Sequence, residues 1–374
     1  MIRRTRVEVD LEAIIANARI VRQMVATQLY AVVKADGYGH GALVVAKALQ
    51  DARAADGFCV SLVEEGVALR ESGITIPILV MGPSQVGGED EMVAAKLTAV
   101  ISSHEELAAL AHVTRTRGRV DAHLKVDTGM NRLGVTVDRA PELAVEAGRN
   151  GIDIVGLMTH FACADSDDPQ DPESMTRHQL ARFADVDRAV VAAGAPLKMR
   201  HAANSSGALL FPEARFDLVR CGIGIYGNGH WAAHTQMGMR FVTAIAQIRS
   251  IAKGDTVGYG ATWTAHRDSR VAILPCGYAD GLPRNASGHA EVAIAGKRVP
   301  LVGRISMDIG IADVTDLPAA KVGDAAVMLG RASGGVSITA AEYAAWCNLS
   351  EYEVTCGMSK RVPRLYSPAI GAAA

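Results

Sequence analysis

Between residues 29 and 221, short β-rich runs alternate with longer helix-like stretches, the pattern of a parallel sheet built from βα units. The runs are LYAVVK (29–34), GFCV (57–60), PILV (77–80), LTAVI (97–101), VDAHLKV (120–126), IDIVGLM (152–158), LKMRHA (197–202) and FDLVRC (216–221). Eight strands with helical crossovers predict a closed (β/α)8 barrel rather than an open doubly wound sheet. Helix signals lie between the runs: capping-type starts at Ser103 and Asp171, and glycine stops at Gly118 and Gly194.

After about residue 235 the pattern changes. FVTAIAQIRSI, RVAIL, AEVAIAG, RVPLVGR, MDIGIADV and AAVMLG are β-type runs broken by turn pairs, followed by a helical piece at 339–347 and a polar tail. The expected fold class is α/β: an N-terminal (β/α)8 barrel over 1–235 and a C-terminal mainly-β domain over 236–374, the first few residues being open to either domain. A chain of 374 residues suits two domains.

Composition narrows the function classes. Lys and Arg number 38 against 40 Asp and Glu, and they are dispersed, so no basic stripe is available to neutralise a nucleic acid backbone. No apolar run approaches the ~20 residues of a membrane span. The opening MIRRTR leads straight into Glu8, Asp10 and Glu12 rather than a signal core, so a cytoplasmic protein is expected. Six scattered cysteines show neither CxxC nor zinc-finger spacing and read as free thiols, with no metal site expected.

In such a barrel the C-terminal strand ends face the active-site mouth. Here they carry Lys34, Lys125 with Arg132 beyond it, His160, His201 with Asn204 and Ser205, and Arg220. Gly222, Gly224 and Gly227 match GxGxxG, but no acidic residue stands near Gln247 where a dinucleotide site needs one. A glycine turn whose N–H groups bind one phosphate, helped by the Ser205 hydroxyl, is the better account. A phosphate clasp, a lysine and an arginine at one mouth form the set that pyridoxal phosphate requires. By spacing alone, Lys34 reads as a strand-end lysine before a glycine turn.

The stretch VVKADGYGHG (32–41) resembles the cofactor-lysine motif of alanine racemases. So do KVDTGMNRLG (125–134), MTHFA (158–162), HAANSSG (201–207), VRCGIGIYG (219–227), VGYGATW (257–263), GYADGLPR (277–284), GRISMD (303–308) and YEVTCGMSKRVPRLY (352–366), in family order and spacing. The resemblance implies a pyridoxal 5'-phosphate-dependent isomerase interconverting L- and D-alanine, as a homodimer with shared active sites. Lys34 would carry the cofactor and serve as one proton-transferring base. Tyr259 of the other subunit would be the second base, with His160 favouring its phenolate. Tyr38, Ser205, Gly222, Ile223 and Tyr352 would hold the phosphate. His201 would lie near the cofactor ring and Arg220 would face its nitrogen. An arginine there keeps its proton, leaves the ring nitrogen unprotonated and restrains side reactions.

Arg132 and the Met307 N–H, with Asp308 nearby, would bind the substrate carboxylate. Lys125 matches a lysine that is carbamylated in the family. Tyr278 and Tyr352 match a narrow inner gate with Cys163 beside it, and Asp165, Arg284 and Arg304 match the polar entrance. Three positions depart from common family residues: Cys163 for alanine, Cys221 for proline and Leu282 for an aromatic. The first leaves room for a racemase of broader or different range, serine included. A barrel decarboxylase of the same cofactor type would place an acid where Arg220 stands. A non-enzymatic cofactor-binding protein would not need a β domain carrying Tyr259 and Met307.

Overall fold

The computed structural model describes residues 3–83 and 87–367. Two compact units are present, Ile14–Thr235 and a second joining Met1–Ala13 to Gln236–Ala374. An N-terminal strand, β1 (Arg6–Asp10), and a helix, Leu11–Val25, precede eight strands. These are β2 (Gln28–Val32), β3 (Gly57–Val60), β4 (Ile78–Val80), β5 (Thr98–Ile101), β6 (Val120–Lys125), β7 (Ile152–Met158), β8 (Met199–His201) and β9 (Leu218–Cys221). They pair in chain order, all parallel, with β9 returning to β2. At the β8–β9 seam, Asp217 N–H donates to Arg200 O (3.1 Å) and Arg220 N–H to Ala203 O (3.1 Å). All eight expected strands therefore form the barrel, and their C-terminal ends share one mouth. Every residue of β3, β4 and β9 is buried, which is why the first two runs are continuously apolar rather than alternating.

Helix boundaries follow local chemistry. Ser103 caps His104–Arg117 by accepting the Glu106 N–H, and Gly118 ends that helix. The next expected start, Asp171, is displaced: the helix is Met175–Ala192, capped by Ser174. Asp171 Oδ1 instead closes a turn on the Glu173 N–H, a competing use that short carboxylates favour.

The second unit contains β10 (Met239–Ala244), β11 (Gln247–Ile251), β12 (Thr256–Val257), β13 (Trp263–Thr264), β14 (Ser269–Leu274), β15 (Glu291–Ile294), β16 (Lys297–Pro300), β17 (Gly310–Asp313), β18 (Ala325–Arg331), β19 (Ser337–Ile338) and β20 (Arg364–Ser367). One sheet runs β16-β15-β18-β10-β1-β20, with β19 on β18; a second is β11-β14-β17; β12 and β13 form a ribbon. The run FVTAIAQIRSI is thus two strands in different sheets, switching at Ile245 and Ala246, whose N–H groups donate to Asp324 O and Ile273 O. The polar tail is also structured as far as Ser367. Ser350 and Glu353 form a capping box on the helix Glu351–Cys356, and β20 lies parallel to β1. Among the described residues no helix is long and apolar enough to cross a membrane.

Candidate active site

Lys34 stands just past β2, half-buried, at the start of a turn where the run of β-type residues predicts the end of a strand. Ala35, Asp36, Gly37 and Tyr38 have φ of 51°, 53°, 63° and 52°, a left-handed turn that costs ~1–2 kcal/mol at each non-glycine position. Surrounding hydrogen bonds hold it. Glu65 accepts from Ala35 N–H (2.7 Å), Ser61 N–H (2.8 Å) and Leu62 N–H (3.1 Å). Asp36 accepts from Ala42 N–H (2.9 Å), and the buried His40 Nδ1 lies 3.0 Å from both Gly37 O and Tyr38 O. The turn tucks Tyr38 inward while leaving Lys34 partly open.

Across the mouth, the Ser205 hydroxyl accepts from Gly222 N–H (3.0 Å) and Gly224 N–H (3.4 Å). Trp231 Nε1–H donates to Ser205 O (2.7 Å), fixing the serine backbone. A Cβ at Gly222 would enter the Tyr38 ring, and one at Gly224 would enter the Trp231 ring. Hydroxyl and phenol groups thus gather beside the backbone N–H groups of a turn without side chains at 222 and 224, a donor set suited to a phosphate. Gly222→Ala is expected to weaken binding of pyridoxal phosphate at least ~10-fold by pushing Tyr38 aside, equivalent to ~1.4 kcal/mol. Equilibrium dialysis gives the comparison, and equal affinity would remove this contact from the binding site.

Arg220 is buried in β9 and donates through two nitrogens. Nη1–H reaches His201 Nδ1 (2.7 Å), while Nη2 reaches Thr159 O (2.9 Å), Ala202 O (2.9 Å) and His160 Nδ1 (3.3 Å). His201 Nε2 in turn lies 2.8 Å from His123 Nδ1. Burial pulls the guanidinium down to about 10, so it stays charged at neutral pH. Burial first, then the field of Arg220, holds His160 and His201 well below the ordinary histidine value and His123 down to about 4. All three imidazoles are neutral near pH 7. His160 thus brings no charge of its own, only a ring nitrogen joined to a cation. Burial pushes the nearby thiols Cys59 and Cys221 up to about 12, so they add no negative charge.

Lys125, at the end of β6, is 5% exposed. Burial, Arg220 and Arg132 pull its ammonium down to about 8. Because the unfolded chain then binds more protons between about pH 8 and the ordinary lysine value, Lys125 costs stability below that window, on the order of 3 kcal/mol. Unfolding midpoints of the wild type should rise from pH 8 to 10 relative to those of Lys125→Met. Parallel curves would refute the assignment. Arg132 is exposed on the loop after β6, where Asp127 Oδ1 accepts Gly129 N–H and Asn131 N–H.

His160 lies on the loop after β7, held by the buried Gln179, whose Nε2–H donates to His160 O (3.0 Å) and Thr128 Oγ1 (3.1 Å) and whose Oε1 accepts Ala162 N–H (2.9 Å). Cys163 is partly exposed and Asp165 exposed on the same loop, where His230 Nε2 meets Asp165 O (2.9 Å).

In the second unit, Tyr259 is 73% exposed on a short turn, Tyr259–Ala261, between β12 and β13. Gly258, Gly260 and Ala261 have positive φ, and the Arg304 guanidinium lies against Gly260. Tyr278 N–H donates to Ser306 O (3.0 Å) and Ala279 N–H to Met307 O (3.0 Å), so the Tyr278 loop and the Met307 loop are stitched together. Met307, Tyr278 and Tyr352 are exposed. Asp308 is engaged by Arg361 (2.7 Å), which also binds the buried Asp280 (2.8 Å). Arg284 and Arg304 line one cleft with Asn285 and Ser287. Ile223 is buried in the glycine turn. Among the described residues no cluster of His, Cys, Asp or Glu is placed to hold a metal ion.

The structure therefore brings Lys34, Tyr38, Lys125, His160, His201, Ser205, Arg220 and Gly222 to one barrel mouth. His123, Gln179 and Glu65 were missed. His123 had a signal, since it stands two residues before Lys125 on one strand.

Fold and site define a (β/α)8-barrel protein with a lysine just past the first barrel strand, a buried arginine and an anion-binding glycine turn at one mouth, followed in sequence by a β domain. Residues 9–229 match the alanine racemase N-terminal domain and 238–366 the alanine racemase C-terminal domain. The chain belongs to the alanine racemase family. It is 40% identical to the alanine racemase of Sorangium cellulosum, covering 97% of this chain and 99% of that one. It is 41% identical to that of Symbiobacterium thermophilum, covering 97% of each. The crystal structure of alanine racemase from D-cycloserine producing Streptomyces lavendulae superposes with a TM-score of 0.92 at 35% identity, over 98% of this chain and 97% of that one. The biosynthetic enzyme of Pseudomonas aeruginosa gives 0.86 at 33%, over 98% and 100%.

Proposed function

We propose that this protein is a pyridoxal phosphate-dependent isomerase that interconverts L- and D-alanine, working as a homodimer. The observation that carries the reading is the barrel mouth: a lysine just past β2, an anion-binding turn at Ser205, Gly222 and Gly224, and a buried arginine backed by neutral imidazoles instead of a carboxylate. Pyridoxal phosphate would be held by Lys34, Tyr38, His201, Ser205, Arg220, Gly222, Ile223 and Tyr352, and would supply an electron sink for the α-carbon.

The chain's own groups do the rest. Lys34 moves a proton at one face of the α-carbon, and Tyr259 of a second copy moves it at the other. A phenol ionising near ~10 is a poor base at neutral pH. A hydrogen bond to the phenolate favours that form, and His160 supplies the donor: its Nδ1 accepts from Arg220, so its hydrogen sits on Nε2. Arg220 remains a donor and keeps a positive charge where an acid would add a proton. Arg132 and Met307 N–H take the substrate carboxylate. Asp308, held by Arg361, serves as a tether for the Met307 loop and not as a direct ligand. Lys125, uncharged above about pH 8, is suited to carbamylation, which would replace two repelling cations with an anion beside Arg132. Tyr278, Tyr352 and Cys163 would form the gate, with Asp165, Arg284 and Arg304 at its outer rim.

Cys163 supports a second reading, a wider substrate range, because the change from alanine to cysteine alters the gate by a single atom group, worth only ~1–3 kcal/mol of discrimination. Chiral analysis of L-alanine, L-serine and L-lysine incubated with the loaded protein in deuterated water tests both readings. Rapid D-alanine carrying α-deuterium is the expected result. D-serine in excess would favour the second reading, and absence of exchange in a yellow protein would overturn the racemase reading.

A further inference from the structure

We propose that His123 is a positioning residue for Arg220, acting through His201 to hold the guanidinium as a pure donor toward the cofactor ring. The inference rests on the function proposed above.

Three features of the fold aim His123 at this task. It is 4% exposed, although an imidazole facing the barrel interior displaces an apolar side chain. The β6–β7 register shifts between Ala122 and His123, pairing Ala122 with Ile154 but His123 with Gly156. Such an irregularity re-aims a side chain. The residue opposite is glycine, and a Cβ there would enter the imidazole ring. Strand register and a missing side chain both make room for this one ring.

Hydrogen-bond directions then follow from valence. A guanidinium has donors only, so His201 Nδ1 must accept from Arg220 and the single His201 hydrogen must sit on Nε2. That hydrogen points at His123 Nδ1, 2.8 Å away, so Nδ1 must be the acceptor and the His123 hydrogen sits on its Nε2. Protonating His123 would set N–H against N–H and break the chain. A carboxylate in its place would draw His201 toward its charged form, converting Nδ1 into a donor that opposes Arg220. A neutral imidazole satisfies His201 without placing negative charge near the guanidinium. The charged and titratable neighbours are Arg220 itself, Lys125 on the same strand, His160 and His201, and the thiols Cys59 and Cys221, which stay protonated.

His123→Asn keeps an acceptor at the Nδ1 position, His123→Leu removes it, and His123→Asp adds charge. Nitrogen NMR of 15N-histidine-labelled protein, with and without pyridoxal phosphate, reads the His201 tautomer independently of turnover. The Nε2–H form that Arg220 imposes should persist in wild type, His123→Asn and His123→Leu, with its Nε2 resonance moving to that of an unpaired N–H only in the leucine variant, and should give way to the doubly protonated ring in His123→Asp. Racemisation kcat should stay within about threefold in His123→Asn and fall at least ~10-fold in His123→Leu with little change in KM. An unchanged His201 signal and kcat in His123→Leu would overturn the proposal. Equal losses in the leucine and asparagine variants would also overturn it, assigning His123 a packing role. If the wild type racemises no amino acid, the proposed function fails, and the proposal fails with it even where the His201 signal responds to His123.

Discussion

Lys34→Ala is expected to abolish alanine racemisation, with kcat/KM falling at least ~10³-fold, the range a positioned base contributes. The side chain starts a left-handed turn anchored by Glu65, Asp36 and His40, none of which contacts the chain through the Lys34 amine. The variant should therefore fold normally, with an unfolding midpoint close to that of the wild type. It should also fail to retain pyridoxal phosphate through gel filtration. A variant that keeps both colour and turnover would remove Lys34 from the reaction.

Tyr259→Phe is expected to be as damaging to turnover and as mild for folding, because the ring is exposed on its turn. Loss of one of two bases has a recognisable signature: α-deuterium exchange should survive for one alanine enantiomer and collapse for the other. The two variants together test the shared site. A heterodimer of Lys34→Ala and Tyr259→Phe has one site lacking both groups and one retaining both, so random pairing restores about a quarter of wild-type activity. If Lys34 and Tyr259 acted from the same chain, no mixture would recover activity, and the dimer proposal would fall.

The strands of the barrel were legible because a run such as GFCV is apolar throughout, as a parallel strand buried on both sides must be, and it coincides with an observed strand. Strand ends were less legible. Lys34 looked like the end of a strand because VVK continues the β pattern, but the hydrogen bonds that turn the chain left-handed come from Glu65, thirty residues away. Asp171 looked like a helix cap, and its carboxylate closes a turn instead. The run from Phe241 to Ile251 looked like one strand because each half is β-type; only pairing with different neighbours divides it.

The site divides in the same way. Residue types at the strand ends, with the glycine turn, were enough to suggest a phosphate, a lysine and an arginine at one mouth, because βα periodicity places consecutive strand ends together. Protonation states were not. That Arg220 is charged while three neighbouring imidazoles are neutral depends on burial and on a hydrogen bond joining residues 78 positions apart. Sequence alone determined which apolar runs become barrel strands and which chemistry-bearing residues follow them, since both are set by neighbours along the chain. Tertiary structure alone decided where each proton sits, because the cost of a charge is set by surroundings that only the closed barrel assembles.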